Sequence, residues 1–147
     1  MPHDIAIRES SGRREVLDIV RQRWVALTPE EWVRQNVIRH LHFILGYPIE
    51  VMQVEGAISL NGLTRRCDVV VYDSGLRPVM IVETKKPEVN INQKVVDQAC
   101  RYNIVLQVPY LLLSNGRQTL VLKVSSKEPH LLQLAAIPRW DDIKEPC

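Results

Sequence analysis

The stretch VMIVETKKP, residues 79–87, decides the fold. Its first half, Val79 to Val82, is an apolar run of the kind that fills the interior of a β-sheet. Glu83, Lys85 and Lys86 then follow with no change of rhythm, and Pro87 ends the strand. Taking an ion out of water costs several kcal/mol even after relaxation. Charges at the end of a buried strand therefore need partners or a task.

Strand side chains alternate between faces, so Val79, Ile81, Glu83 and Lys85 point the same way. On the preceding strand Asp68 shares a face with Arg66, Val70 and Tyr72, and it is the one acid inside the otherwise apolar run CDVVVY. The turn DSGLRP, residues 73–78, folds these two strands together. Pairing about residue 75 or 76 sets Asp68 opposite residues 82–84, within one rung of Glu83, with Lys85 on the next. Two carboxylates that close repel unless one is protonated or a cation sits between them. A hard divalent cation such as Mg²⁺ resolves the conflict with few protein ligands. Protonated Lys85 is no ligand, but it can orient a water, help deprotonate it or hold a phosphate oxygen. Together these are the parts of metal-assisted phosphodiester hydrolysis. A structural Asp–Lys or Glu–Lys pair is the plainer alternative. The acid within the apolar strand and the order Asp…Glu-x-Lys favour the metal site.

Before this core, residues 1–14 read as a mobile polar lead-in, and 15–147 as one domain. EVLDIVRQRWVAL, residues 15–27, is ambiguous because Arg21 and Arg23 interrupt its strand parity. In TPEE, residues 28–31, Thr28 is an N-cap, Pro29 takes the first helical position and Glu31 the capping-box position. The helix runs on to a stop at Gly46. Asn61-Gly62 marks a hairpin between strands at roughly 49–60 and 64–72. A helix follows at about 93–106, and PYLLLSNG and QTLVLKV supply two more strands. The fold class is α/β or α+β, with a mixed sheet flanked by helices.

On the second helix Gln98 and Tyr102 are four apart and share a face, with Lys94 a turn earlier. That face either meets substrate phosphates or packs the Tyr102 ring with Gln98 exposed. Glu31 is adequately explained as a capping residue, with metal ligation the alternative. Arg66 and Lys86 are candidates for phosphate contacts.

Composition bounds the rest. Of 147 residues, 46% are apolar and 24% charged, which is globular and argues against disorder. A net charge of +2 permits a nucleic-acid partner only through a local basic surface. Cys67, Cys100 and Cys147 form no Cys-x-x-Cys pair, which argues against a disulfide framework or zinc site. No secretory core, membrane-length apolar run or phosphate loop is present, so cytoplasm is the expected compartment and no nucleotide site is expected.

Asp68 followed by Glu83-Thr84-Lys85, in this order of elements, resembles the PD-(D/E)XK nuclease superfamily, with its αβββαβ core. LTPEEWVRQ, RCDVVVYD, IVETKKP, DQACRYN and LLLSNG are similar, more narrowly, to the N-terminal nuclease domain of type I restriction enzyme R subunits, from about Trp24 to Val124. The resemblance implies that Asp68 and Glu83 bind Mg²⁺, with Mn²⁺ as substitute, helped by the Thr84 backbone carbonyl, and that Lys85 is catalytic. It implies a role near the DNA or active site for the Gln-x-x-x-Tyr pair Gln98 and Tyr102. It makes Glu31, or failing that Glu30, an extra metal-linked glutamate. Cys67 stands where the family motif has Pro. The implied activity is Mg²⁺-dependent DNA cleavage; one site cuts one strand, so double-strand cleavage calls for a homodimer or repeated nicking. Implied partners are a helicase motor, a methylase or specificity subunits. The rival from another class is a nucleic-acid-binding or assembly module that does not cut.

Overall fold

A strand that is apolar on both faces needs cover on both sides, and here two helices supply it. The structure, a computed structural model, describes residues 5–125, 127 and 130–146. Its strands are β1 (Ile7–Ser10), β2 (Arg13–Asp18), β3 (Arg23–Ala26), β4 (Met52–Val54), β5 (Ala57–Leu60), β6 (Leu63–Arg66), β7 (Val69–Tyr72), β8 (Pro78–Thr84), β9 (Tyr110–Ser114), β10 (Thr119–Val124) and β11 (Leu131–Leu134). The α-helices are α1 (Pro29–Arg39), α2 (Gln93–Leu106) and α3 (Trp140–Ile143). A π-helical turn, His40–Ile44, extends α1.

Six strands form the central sheet in the order β11-β10-β9-β8-β7-β4. Every neighbouring pair is antiparallel except β8 and β9. That parallel pair requires a crossover, and α2 provides it. The VMIV run occupies β8 near the middle, so the mixed sheet flanked by helices is as the sequence indicates. On the α1 side Val69, Val71, Met80, Val82 and Leu112 pack with Val33, Val37, Ile38 and Leu41. On the α2 side Val70, Ile81, Leu111 and Leu113 pack with Val96, Ala99, Cys100 and Leu106. Full burial of such side chains contributes about 1.5–3 kcal/mol each, which fixes β7 and β8 firmly. Among the described residues no helix is long and apolar enough to cross a membrane.

The start of α1 follows its sequence signal. Thr28 Oγ1 accepts the Glu31 amide at 3.0 Å, and Pro29 opens the helix. The Glu31 carboxylate, however, turns to Arg21 and Gln35. The helix continues through the π turn, and Gly46 at φ 82° ends it.

Four regions depart from the expectation. Residues 7–10, within the expected polar lead-in, pair as β1 with β2, because Ser11 and Gly12 at φ 52° and 75° make a tight hairpin turn. Residues 1–4 and Cys147 lie outside the described residues. The ambiguous stretch 15–27 becomes most of β2 and all of β3, and β1-β2-β3 is a separate three-stranded sheet. β11 and α3 carry no clear turn or cap signals, and the sequence does not announce them. They close the sheet edge, with the Tyr47 hydroxyl donating to the Pro138 carbonyl and the Tyr47 and Trp140 rings 5.5 Å apart.

The fourth departure matters for the site. The long hairpin around Asn61-Gly62 is present but kinked. Val54 faces Val69 and Ala57 faces Arg66, so one register runs through β4-β5 against β6-β7. The Glu55 amide bonds the Asp68 carbonyl and the Cys67 amide bonds the Gly56 carbonyl across the gap. Glu55 at φ 56° bends the ribbon there. The outer half, β5-β6, leaves the main sheet and packs on α2. The bend falls at Cys67-Asp68, so Asp68 sits where the sheet opens.

Candidate functional site

Asp68 and Glu83 come together as the register requires. Val69 pairs with Val82, and Asp68 and Glu83 are the next residues outward on β7 and β8. The Thr84 amide donates to Asp68 Oδ2 at 2.7 Å and the Thr84 hydroxyl to the same oxygen at 3.2 Å. Those bonds hold Asp68 against the end of β8. Burial pushes the Glu83 carboxyl up to about 7; Arg65 pulls against this, Asp68 adds to it and Lys85 opposes it. Lys85 follows, half-buried, with its backbone amide bonded to the Ser114 carbonyl. Among the described residues its ammonium forms no ion pair.

Each carboxylate also has an arginine. Arg65 Nη2 donates to Glu83 Oε1 at 2.9 Å. The buried Arg34, from α1, lies 3.9 Å from Asp68 Oδ1, 3.6 Å from Glu31 Oε2 and 3.6 Å from Glu55 Oε1. Its Nε and Nη1 make no hydrogen bond, so Arg34 compensates the three carboxylates across the cleft by charge. Glu31 is not joined directly to the Asp68–Glu83 pair. It accepts from Arg21 Nη2 at 2.9 Å and Gln35 Nε2 at 3.2 Å, and Arg34 bridges it to Asp68.

The donor atoms suit a hard cation: two carboxylates, with the Thr84 carbonyl at the same strand end. Among the described residues no group of three or more His, Cys, Asp or Glu side chains gathers as a metal cage. A cation here would need water or substrate oxygens to complete its shell, which is the habit of Mg²⁺. Cys67, between Arg66 and Asp68, is buried. Burial pushes its thiol up to about 12, and Glu83 adds to the effect.

Gln98 and Tyr102 lie exposed along α2 and line one groove with Leu63, Lys94, Arg101 and Val105. The Arg65 guanidinium lies over the Tyr102 ring, 4.4 Å from its centre. Tyr102 therefore reaches the carboxylate pair through Arg65. Lys86 is exposed beside Lys85. Arg66 points elsewhere, its Nε donating to the Glu55 carbonyl at 3.4 Å. Sequence reasoning selects Arg66 and misses Arg65 and Arg34. Strand alternation puts Arg66 on the face of Asp68, but the bend at Cys67 exchanges the two arginines. Arg34 gives a faint signal, three residues after Glu31 on a helix that has to cover the sheet.

A family model described as "Type I restriction enzyme R protein N terminus" matches residues 29–138. Among solved structures, the chain is similar to a fragment assigned to the HsdR subunit of a type I restriction enzyme from Vibrio vulnificus YJ016. That similarity has a TM-score of 0.52 and 19% identity, over 73% of this chain and 22% of the other. The chain thus spans about a fifth of that fragment's length. It is also similar to a protein from Anabaena variabilis ATCC 29413 assigned as a nuclease of the DUF820 group. There the TM-score is 0.52 and the identity 10%, over 95% of this chain and 86% of the other. At these identities the structures speak for the fold, which is nuclease-like. No curated protein matches the chain.

Proposed function

The chain belongs to the family of type I restriction enzyme R protein N termini, and from that premise we propose that it is a Mg²⁺-dependent DNA endonuclease, the nuclease module of a restriction-like system. The observation that carries this reading is the Asp68–Glu83 pair at the end of β7 and β8, with Thr84 bonded to Asp68 and Lys85 next in line. Burial pushes the Glu83 carboxyl towards protonation and Asp68 beside it adds to the effect, so the pair is arranged for a positive charge.

In this reading Asp68, Glu83 and the Thr84 carbonyl hold Mg²⁺, with Mn²⁺ as substitute. When bound, the cation supplies charge that polarises the phosphoryl group and acidifies a water. Lys85 orients that water and offsets negative charge as it develops on the phosphate. The water oxygen forms a bond to phosphorus, the bond from phosphorus to the 3′ oxygen breaks, and a proton passes to that oxygen or to solvent. The products are 5′-phosphate and 3′-hydroxyl ends. Gln98, Tyr102 and Lys86, all exposed, contact the DNA backbone in this reading, and Arg66 is a further candidate contact. Glu31 joins the metal shell only if Arg34 swings away. Double-strand cleavage requires a homodimer or repeated nicking. A helicase motor, methylase or specificity subunits are the partners the reading implies.

A second reading is favoured by one observation: both carboxylates already face arginines. A nucleic-acid-binding or assembly module could use the same pairs structurally and not cut. Incubating an end-labelled DNA duplex with the protein in Mg²⁺, and asking whether product ends ligate, separates the two. Ligatable 5′-phosphate ends support the nuclease. Intact DNA that binds equally well to Glu83→Ala supports the binder.

A further inference from the structure

Arg65 touches two groups at once. Its Nη2 donates to Glu83 Oε1, and its guanidinium stacks on Tyr102. It rides on β6, in the ribbon that bends away from the sheet onto α2. The pair is sheltered but not sealed, with the Arg65 side chain 21% exposed and that of Glu83 10% exposed. A guanidinium has five N–H donors, and Glu83 takes one of them. The stack leaves the fork beside the groove of Lys94, Gln98 and Arg101.

We infer that Arg65 is the resident counter-cation of Glu83, yielding that carboxylate to a divalent cation and, held on the Tyr102 ring, turning its freed donors to a DNA phosphate. The inference rests on the proposed function and deepens it. The Arg65 bond occupies one oxygen of the same carboxylate that the proposed metal pair would use, so the two cations compete for one group. Without Arg65, the buried Glu83 carboxylate beside Asp68 would lose its hydrogen-bonded cation in the cation-free protein and keep only the weaker field of Lys85, a costly state. Tyr102 keeps the displaced guanidinium at the groove, because a cation over an aromatic face retains attraction as its carboxylate is lost. Arginine suits this exchange better than lysine, since its planar fork stacks on a ring and matches phosphate oxygens. Arg65 is thus a positioning residue for Glu83 before the cation binds and a phosphate-binding residue afterwards. The Gln-x-x-x-Tyr face of α2 is connected to the carboxylate pair through this one side chain.

The test is a calorimetric titration of Mn²⁺ into wild type, Arg65→Gln, Arg65→Lys and Arg23→Gln. The last removes a positive charge from an exposed position of β3. Duplex DNA binding is then measured in Ca²⁺, which favours binding without cleavage. Arg65→Gln should bind Mn²⁺ about fivefold more tightly and DNA about fivefold more weakly. Arg65→Lys should fall between, and Arg23→Gln should change Mn²⁺ affinity by no more than about twofold. Equal or weaker Mn²⁺ binding by Arg65→Gln, with wild type still binding the ion, overturns the inference and leaves the proposed function standing. The inference also falls, alone, if Arg23→Gln tightens Mn²⁺ binding as much, since the effect would then be general charge. Unchanged DNA binding overturns the transfer to phosphate. Mn²⁺ binding by none of the four proteins overturns the proposed function and the inference with it.

Discussion

The Thr84 amide donates to Asp68 Oδ2 at 2.7 Å, tying the start of β7 to the end of β8. This one bond brings the acid of one strand to the Glu83-Thr84-Lys85 run of the next, and it makes Asp68 structural as well as chemical. Replacing Asp68 by Ala leaves the buried Thr84 amide without its acceptor, a loss of about 1–3 kcal/mol. Asp68→Asn keeps an amide oxygen that can accept. Urea unfolding should therefore find Asp68→Asn closer to wild type than Asp68→Ala. In the proposed function, both should lose divalent-cation binding.

Glu83 gives the protein a pH dependence of known sign. Its folded-state value of about 7 lies above the ordinary 4.5, so the folded chain holds this proton where the unfolded chain has lost it. The contribution is fully present below pH 4.5 and is lost as pH rises through about 7. Glu83→Gln carries no such proton. In EDTA its stability relative to wild type should rise between pH 4.5 and 8, by up to about 3 kcal/mol. Thermal unfolding across that range reads the effect, and a parallel pH profile for the two proteins would remove it.

Lys85 has no ion pair to lose among the described residues. Lys85→Ala should change stability by no more than about 0.5–1 kcal/mol. It should keep divalent-cation binding while cleavage falls by about a hundredfold or more. Calorimetry and a cleavage time course on one preparation separate the two effects.

The ribbon that carries Arg65 depends on its turn. Asn61 and Gly62 stand at φ 53° and 77°, the left-handed region that a two-residue hairpin turn requires. Gly62→Ala has open space for its Cβ but the wrong backbone preference, so it should cost about 1 kcal/mol. Hydrogen exchange should show faster opening of β5 and β6 with β8 and β9 unaffected.

Much of this was legible in the sequence because strand alternation and turn chemistry are local rules. VMIVETKKP announced β8, TPEE announced the start of α1, and DSGLRP fixed the register that sets Asp68 beside Glu83. The membership of the type I restriction R-protein family was legible too, from short blocks spread over most of the chain. What was not legible depended on a change of direction. Glu55 takes a left-handed conformation that glutamate seldom adopts, so nothing at that position warned of the bend. Through the bend Arg65, not Arg66, faces Glu83. Arg34 reaches Asp68 only once α1 has docked on the sheet, and pairing between distant elements leaves little trace in local spacing. Glu31 illustrates the same limit in one of its partners, since Arg34 is three residues on along α1 but Arg21 comes from the turn between β2 and β3.

The most direct test of the central claim is plasmid cleavage in Mg²⁺ or Mn²⁺ by wild type, Asp68→Ala and Lys85→Ala. The account predicts that wild type converts supercoiled plasmid to nicked or linear DNA and that both variants, folded, do not. Cleavage that survives in both variants would place the chemistry elsewhere. Absence of cleavage by wild type, together with absence of divalent-cation binding, would mean that the charges at the end of β8 are structural.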